Sequence, residues 1–306
     1  MATLREVADR AHVSPTTVSL VLAGKADSVG ICAATRERVR RAAGELAYAG
    51  NYHARALLNG RSHTIGLILP TPLHDRKWGK VAAGVDEAAH AGSNDLVIIS
   101  RSGDEAPLAR GVRYLKEKRI DALICAGQRP TDKNIDVTAT GRIVNVLAGQ
   151  GPVPSVSLDP APGLQAAVEH LYGLGHRHVV YVGKTVGKSI VLQSRLDTWR
   201  AACRRRGLRQ TEVFLQGETS YDHNIGWHLH YCYERMVQQP TFDSGVTAAM
   251  CFNDTVALAL IALLRERGLR VPQDMSVIGF DDLLADGTLP GLTTVSHMFH
   301  EMGAKA

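Results

Sequence analysis

Residues 3–22, TLREVADRAHVSPTTVSLVL, contain the signals of two short helices joined by a tight turn at His12-Val13. Thr3 can cap the first helix, with Glu6 three residues later as its capping-box partner. Ser14 can cap the second helix, and Pro15 suits its first position. Apolar residues recur at helical spacing on both segments, namely Val7, Ala8 and Ala11, then Val18, Val21 and Leu22.

The outward face of the second predicted helix carries short hydroxyl side chains, Thr16, Thr17 and Ser19. A helix that lies in the DNA major groove needs an apolar back and small hydrogen-bonding groups in front. An ordinary pair of surface helices can show the same pattern, because helix-turn-helix look-alikes are common. The spacing alone leaves both interpretations open.

The charge of the chain is concentrated near its N-terminus. Residues 1–62 contain nine Lys/Arg and five Asp/Glu, a net of +4 out of a formal net charge of +5. The remaining 244 residues contain 26 bases and 25 acids, a net of +1. A small basic segment on a nearly neutral body indicates a polyanion partner for that segment alone.

The composition is that of a soluble globular protein, with 45% hydrophobic and 21% charged residues. A length of 306 residues suggests two or three domains. The N-terminus enters an amphipathic helix directly, which argues against a signal peptide, and no apolar run is long enough to span a membrane. The five cysteines (Cys32, Cys125, Cys203, Cys232, Cys251) have no paired motif, which favours reduced thiols over disulfides or zinc. We expect a cytoplasmic, nucleoid-associated protein without a cofactor or metal.

A third helix is predicted over residues 35–47 and would complete a small three-helix headpiece. Residues 50–62, GNYHARALLNGRS, then form a basic linker with a short helix-capable centre. Leu57 and Leu58 in this linker allow two interpretations. One leucine could wedge into a DNA minor groove, or both could pack on the body or on a partner's linker.

From Ile65 the pattern changes to buried strands alternating with amphipathic helices. Strands are predicted at 65–69, 96–100, 122–125, 143–147, 179–182, 212–215, 248–252 and 276–280, and helices at 81–91, 164–174, 196–206 and 255–267. This alternation predicts parallel sheets covered by helices on both faces. Because these units exceed one ordinary sheet, we divide them at the Pro/Gly-rich stretch 151–163. Two similar α/β subdomains then enclose a ligand cleft at the carboxyl ends of their strands.

Several further motifs follow the headpiece in a fixed order. They are TRERVRRAAGELAY at 35–48, GRSHTIGLILP at 60–70, AAVEHLYGLGHRHVVYVG at 166–183, FNDTVALALIALLRERGLRVPQDMSVIGFDD at 252–282 and LPGLTTV at 289–295. With these motifs the chain resembles the lac repressor/galactose repressor (LacI/GalR) family of bacterial transcription regulators over nearly its whole length. The resemblance implies a small all-α helix-turn-helix headpiece and an α/β body of two parallel-sheet subdomains, similar to periplasmic binding proteins.

The resemblance also implies a domain organisation and a function. The headpiece would cover residues 1–49, the hinge helix 50–62 and the effector-binding and dimerisation body 63–306. The body would divide into subdomains at about 63–155 and 156–283, with 284–306 returning to the first. A homodimer would bind a palindromic double-stranded DNA operator, as a repressor controlled by a small-molecule effector such as a sugar or related metabolite.

Members of the family place their DNA contacts at positions that match eleven residues here: Thr3, Ser14, Pro15, Thr16, Thr17, Ser19, Leu20, Tyr48, Asn51, Arg55 and Leu57. Leu57 matches the minor-groove wedge. Leu20 stands where many members carry a guanine-reading arginine, so about 1–3 kcal/mol of base discrimination must be absent or replaced. His12 replaces the usual turn glycine, and Cys32 stands where a serine often caps the third helix.

The effector site implied by the resemblance consists of Trp78, Arg195, Thr219, Asn253 and Asp281. Guanidinium, amide and carboxylate groups can bond ligand hydroxyls, while an aromatic face stacks on a ring. Asn253 or Asp281 could instead cap a following turn or helix. Leu147 departs from an Asp seen in several sugar-binding relatives, which leaves the ligand class open.

Other functions fit the sequence less well. GKTVGKS at 183–189 is one residue short of a phosphate-binding loop, although Lys184 and Lys188 could favour an anionic effector. His228 and His230 fit surface histidines better than a metal site. A transported-solute receptor should lack a basic headpiece, and no catalytic constellation indicates an enzyme. Members of the family usually continue for several tens of residues beyond position 306, so this chain is either truncated or has a different C-terminal end. Because the leucine-zipper tail of tetrameric members is absent from this sequence, we expect a dimer at most.

Overall fold

The computed structural model describes residues 2–48, 60–69, 76–100, 106–127, 141–147, 151–184, 190–215, 229–238, 245–283 and 291–306. The chain divides into two compact units, residues 1–64 with 113–121, and residues 65–112 with 122–306. No helix in these described ranges has both the length and the apolar character needed to cross a membrane.

The first unit contains a three-helix headpiece, with α1 at Leu4–Ala11, α2 at Pro15–Leu22 and α3 at Ala33–Glu45. Its core is small and built largely from alanine and valine, namely Val7, Ala8, Ala11, Val18, Val21, Ala26, Val39, Ala42 and Ala43. Helix α3 begins two residues before its predicted start, because the alanines at 33 and 34 already adopt helical structure.

A half-buried carboxylate, that of Asp121, connects the chain after the linker to residues 113–121 of the same unit. Asp121 accepts hydrogen bonds from the backbone N–H and hydroxyl of Ser62 at 2.8 and 3.0 Å, and from the N–H of His63 at 2.8 Å. Burial opposes ionisation of Asp121, but the hydrogen bonds from Ser62 and His63 lower the pKa of its carboxyl overall.

The first sheet is formed by β1 at Thr64–Ile68, β2 at Asp95–Ile99, β3 at Ala122–Ala126, β4 at Ile143–Val146 and β5 at Ser155–Val156. Helix α4 at Arg76–Ala91 and helix α5 at Pro107–Lys116 connect its strands. The strand order is β2-β1-β3-β4-β5, and the described registers are parallel.

The second sheet is formed by β6 at His178–Lys184, β7 at Arg209–Leu215, β8 at Ala248–Cys251, β9 at Ser276–Asp281 and β10 at Thr293–Ser296. Its helices are α6 at Ala161–Gly173, α7 at Ile190–Arg205, α8 at Leu229–Val237 and α9 at Asp254–Glu266. The strand order is β10-β9-β8-β6-β7, again with parallel registers. Two apolar layers cover the sheet, one around Leu196 and Trp199 and the other around Leu260 and Leu264.

The chain crosses back to the first sheet after β10. The following helix, α10 at Phe299–Ala304, places Phe299 and Met302 in the same apolar core as Leu67 and Val85. Helices α10 and α4 touch backbone to backbone at two glycines. A Cβ on Gly84 would lie 1.9 Å from the carbonyl oxygen of His300, and one on Gly303 would lie 2.2 Å from that of Val81.

The predicted architecture of two parallel-sheet subdomains is confirmed. All eight predicted strands exist, with ends that agree with the prediction or differ from it by at most three residues. The sequence prediction did not include the short strand β5 or the strand β10, which form one edge of each sheet. The five cysteines are free, and Cys32 alone among them is exposed.

Candidate functional site

The first candidate site is the exposed side of α2 in the headpiece. Ser14 caps this helix, since its hydroxyl accepts a hydrogen bond from the N–H of Thr17 at 3.1 Å. Val18 and Val21 are buried in the headpiece core, whereas Pro15 and Thr16 are exposed at the start of the helix. The helix therefore presents its N-terminal turn to solvent, as a helix that reads the major groove must do.

The other residues predicted on this face are less exposed. Thr17, Ser19 and Leu20 are half-buried. The hydroxyl of Thr17 lies 2.9 Å from that of Ser14, so it is engaged within the helix cap. Leu20 offers an apolar surface where an arginine would offer a planar pair of donors.

The turn that positions α2 uses a left-handed residue. His12 caps α1 with φ of +52°, and its N–H donates to the carbonyl of Asp9 at 3.3 Å. A glycine adopts this conformation without steric strain, whereas a histidine adopts it with a small steric strain from its Cβ. At the other end of α1, Thr3 and Glu6 form the reciprocal bonds of a capping box.

The basic side chains of the headpiece fall into two groups. Arg10 bonds Glu45 at 2.9 Å, and Arg36 pairs with Asp27. Within the described residues, Arg5, Arg38 and Arg40 are exposed and have no carboxylate within ion-pair distance, so their charges are available to a polyanion. Cys32 occupies the cap position of α3 without bonding its backbone, and its thiol lies 3.2 Å from the hydroxyl of Thr35.

Some predicted contacts cannot be placed. Asn51, Arg55 and Leu57 of the linker, and Thr219 of the effector site, lie outside the described residues. Tyr48 is half-buried against the headpiece core, and Thr3 is exposed at its cap position.

The second candidate site is a group of charged side chains in the second sheet and its connections, centred on Arg195. This side chain lies on α7 and is only 5% exposed. Its guanidinium donates to the carbonyl of Phe252 at 3.1 Å and lies 3.8 Å from the ring centre of Phe280. Its Nε has no hydrogen-bond partner, which is unusual for a buried charged group. Burial lowers the pKa of Arg195, and the charge of Asp281 partly opposes that effect.

Asp281 reaches this cluster from the carboxyl end of β9. Its Oδ1 lies 3.1 Å from Nδ1 of His297, which follows β10 directly. The same Nδ1 lies 3.4 Å from Nη2 of Arg195. The structure thus brings together two predicted ligand-binding residues, Arg195 and Asp281, through a histidine that the sequence did not single out.

Asn253 and its neighbour have structural roles in this region. Asn253 caps α9, with Oδ1 accepting from the N–H of Val256 at 2.9 Å, as the alternative interpretation of this residue allowed. Asp254 is 1% exposed and accepts from the N–H of Leu283 at 2.7 Å and from the hydroxyl of Thr294. Burial raises the pKa of Asp254 to about 6, against the lowering effect of those hydrogen bonds.

Trp78 does not share described contacts with Arg195 or Asp281. It is 5% exposed within the apolar core of the first sheet, and the ammonium of Lys77 lies 4.7 Å from its ring centre. Lys80, two residues after Trp78 along α4, donates to the carbonyl of Asp282 at 2.5 Å. This bond ties a helix of the first sheet to the connection that leaves β9.

Sequence reasoning missed His297, Asp254 and Lys80. Asp254 lies inside the motif at 252–282 and Lys80 lies close to Arg76 and Lys77, but neither spacing indicates a site, and His297 belongs to no quoted motif. One signal was present for His297. It follows the segment TTVS at 293–296, which is rich in β-branched residues, and polar residues at the carboxyl ends of parallel strands are candidates for a site.

A helix-turn-helix headpiece joined to two parallel-sheet subdomains defines a class, the DNA-binding transcription regulators with a body of periplasmic-binding-protein type. Comparison with known proteins places the chain within it. Residues 3–51 match the family described as bacterial regulatory proteins, lacI family, and residues 168–306 match the periplasmic binding protein-like domain. The chain belongs to the lacI family.

Individual relatives agree with this assignment. The HTH-type transcriptional regulator DegA of Bacillus subtilis (strain 168) is 30% identical over 99% of this chain and 88% of its own length. The ribose operon repressor of Haemophilus influenzae is 28% identical over 100% of this chain and 90% of its own. The lac repressor dimer bound to operator and the anti-inducer ONPF superimposes with a TM-score of 0.76 and 27% identity, over 99% of this chain and 90% of that one.

Proposed function

We propose that this chain is a repressor that binds a palindromic operator as a homodimer and is controlled by a small-molecule effector, a sugar or related metabolite. The observation that carries the proposal is the geometry of α2. Its apolar residues are buried, its N-terminal turn with Pro15 and Thr16 is exposed, and its start is fixed by the Ser14 cap. Exposed arginines on the same headpiece supply the phosphate contacts.

The proposal assigns the remaining DNA contacts by family position. Thr17 and Ser19 contact phosphates or base edges, and Leu20 favours an apolar feature such as a thymine methyl group. In the hinge at 50–62, Leu57 wedges into the minor groove between two half-sites. The proposal includes no catalytic step, and it places the protein in the cytoplasm at its operator.

An exposed apolar edge supports the dimer. Strand β2 lies at one edge of the first sheet, and its Val97 and Ile98 are each 39% exposed. Unpaired edge strands with exposed apolar side chains favour association with another chain. A second copy related by a two-fold axis would cover this edge and would set two headpieces on two half-sites.

The Arg195 cluster supports effector binding. A buried guanidinium with an unpartnered Nε can donate to a ligand oxygen, and the nearby carboxylate of Asp281 can accept from a ligand hydroxyl. We include Trp78, Thr219 and Asn253 in the effector site by family position alone. The effector controls DNA binding only if it binds one arrangement of the two subdomains better than the other.

DNA binding is tested by selecting duplexes from a randomised library with the full-length protein. We expect enrichment of a palindrome, and fluorescence anisotropy should then show that Thr16→Ala weakens binding to it about 5–100-fold. Ser28→Ala is the matched control, because Ser28 lies in the α2–α3 loop and bonds only the carbonyl of Lys25 in the described structure. Failure to enrich any sequence would overturn the proposal.

Effector binding is tested by thermal shift with D-ribose, cellobiose, trehalose and glucose. Two solved relatives are described as complexes with cellobiose and with glucose, and two others are named as ribose and trehalose repressors. A true effector should raise the Tm with the logarithm of its concentration above Kd. The shift should disappear in Arg195→Met.

A further inference from the structure

His297 occupies the space between the two charged groups of the proposed effector site. Its Nδ1 is 3.1 Å from Oδ1 of Asp281 and 3.4 Å from Nη2 of Arg195. In the described structure Arg195 and Asp281 do not form a direct ion pair with each other. Arg195 is 5% exposed and the side chain of Asp281 is 13% exposed, so both charges are largely withdrawn from water while a histidine contacts each of them.

One ring nitrogen cannot satisfy both neighbours. If Nδ1 carries a proton, it donates to the carboxylate of Asp281; if it carries a lone pair, it accepts from Arg195 and turns that lone pair towards an anion. The contact with Asp281 is the shorter of the two, and a hydrogen bond to an ionised acceptor is the stronger kind. The geometry therefore favours the Nδ1-protonated ring.

We propose that His297 is a positioning residue of the effector site, which donates Nδ1–H to Asp281 and thereby keeps this carboxylate from closing on Arg195. The inference rests on the proposed effector function. With Nδ1 protonated, Nη2 of Arg195 joins its Nε in having no acceptor among the described residues. Arg195 and Asp281 therefore remain able to form hydrogen bonds with a ligand, because they do not form an ion pair with each other.

Aromatic packing holds the imidazole in place. The ring of His297 stacks on Phe299 with centres 4.5 Å apart and an interplanar angle of 18°, and it lies nearly perpendicular to the ring of Phe280, with centres 5.4 Å apart. Phe280 also lies beneath the guanidinium of Arg195. Since Phe299 belongs to the core of the first sheet, His297 also links the effector site to the crossing between the subdomains.

The first test is the tautomer of His297 in the full-length protein. Histidine-selective ¹⁵N labelling and long-range ¹H–¹⁵N correlation distinguish the two ring nitrogens, and loss of one of 13 histidine signals in His297→Gln or His297→Asn assigns the residue. We expect a proton on Nδ1, in the neutral or the cationic ring. A neutral ring protonated only at Nε2 would overturn the inference.

The second test measures how strongly Arg195 and Asp281 interact. A double-mutant cycle of Arg195→Met and Asp281→Asn on the free energy of unfolding is run in two backgrounds, His297→Gln and His297→Leu. Glutamine retains a donor for Asp281, whereas leucine does not. We expect the coupling free energy in the leucine background to be at least twice that in the glutamine background, and equal couplings would contradict the inference.

These results are separable from the outcome for the proposed function. Both measurements are made without DNA or ligand. An Nε2 tautomer in a protein that still binds its operator would refute the positioning role alone. An Nδ1 tautomer in a protein that selects no duplex would refute the repressor function and leave the local geometry intact.

Discussion

Replacing Asp254 by asparagine should stabilise this protein at neutral pH. The carboxylate is 1% exposed, and its burial raises its pKa from 3.8 to about 6. An asparagine has the same shape, can accept from the N–H of Leu283 through Oδ1, and can donate through Nδ2 to the hydroxyl of Thr294. The substitution therefore removes a buried charge and retains both hydrogen bonds.

The magnitude follows from linkage between protonation and folding. A folded pKa of about 6 against 3.8 in the unfolded chain, at about 1.4 kcal/mol per pH unit, corresponds to about 3 kcal/mol. Below pH 4 the carboxyl of Asp254 is protonated in both the folded and the unfolded state, so folding does not bury a charge there. Between pH 4 and 6 the unfolded state ionises first, so the stability of the wild type falls as pH rises. Above pH 6 the carboxyl is ionised in both states, and the destabilisation of the folded state stays constant at its full value.

The assay is differential scanning calorimetry of the wild type and Asp254→Asn from pH 4 to pH 8. The Tm of the variant should exceed that of the wild type by an amount that grows up to pH 6 and reaches about 6–12 °C. Asp274→Asn is the control, because hydrogen bonds from Arg270 lower the pKa of Asp274 to about 2, below the range scanned. A variant less stable than the wild type at pH 7, with a difference independent of pH, would refute the reasoning.

Three further predictions concern packing and the recognition helix. Gly84→Ala should destabilise the protein by about 1–3 kcal/mol in urea unfolding, because its Cβ would meet the backbone of α10. In the control Gly79→Ala, on the same helix, the Cβ meets nothing within 4 Å, so this variant should be about 0.5–1 kcal/mol more stable than the wild type. Equal effects of the two substitutions would contradict the close approach of α4 and α10. Ser14→Ala should lower the stability of the headpiece by about 1 kcal/mol, which should appear as faster hydrogen exchange of the Thr17 amide. Unchanged exchange would show that the Ser14 cap does not stabilise α2. Leu20→Arg should increase the preference for guanine at one position of each half-site about 5–100-fold in duplex selection, and an unchanged selected sequence would show that position 20 does not face a base.

Local patterns predicted most of the fold because the responsible interactions are local. The Thr3–Glu6 capping box, the Ser14 cap and the apolar spacing of the headpiece helices involve residues three or four apart. The buried strands of both sheets are continuous apolar runs, which parallel sheets require. Strand β5 was missed because it spans only Ser155–Val156, too short to show a pattern.

Contacts between residues that are far apart in the sequence could not be predicted from local patterns. His297 meets Arg195 across 102 positions of sequence, and Lys80 meets Asp282 across 202. Neither pair has a spacing that local reasoning can recognise. The family resemblance supplied Arg195 and Asp281 as candidates, and the structure adds the histidine between them. It also shows Asn253 acting as a helix cap.

The central claim is that the headpiece reads DNA sequence, and equilibrium binding to two duplexes tests it most directly. One duplex is the palindrome obtained by selection, and the other has the same bases in scrambled order. Fluorescence anisotropy at several salt concentrations should give at least about 1000-fold tighter binding to the palindrome at physiological salt, with affinity that falls steeply as salt rises. Equal affinity for the two duplexes at every salt concentration would contradict the account.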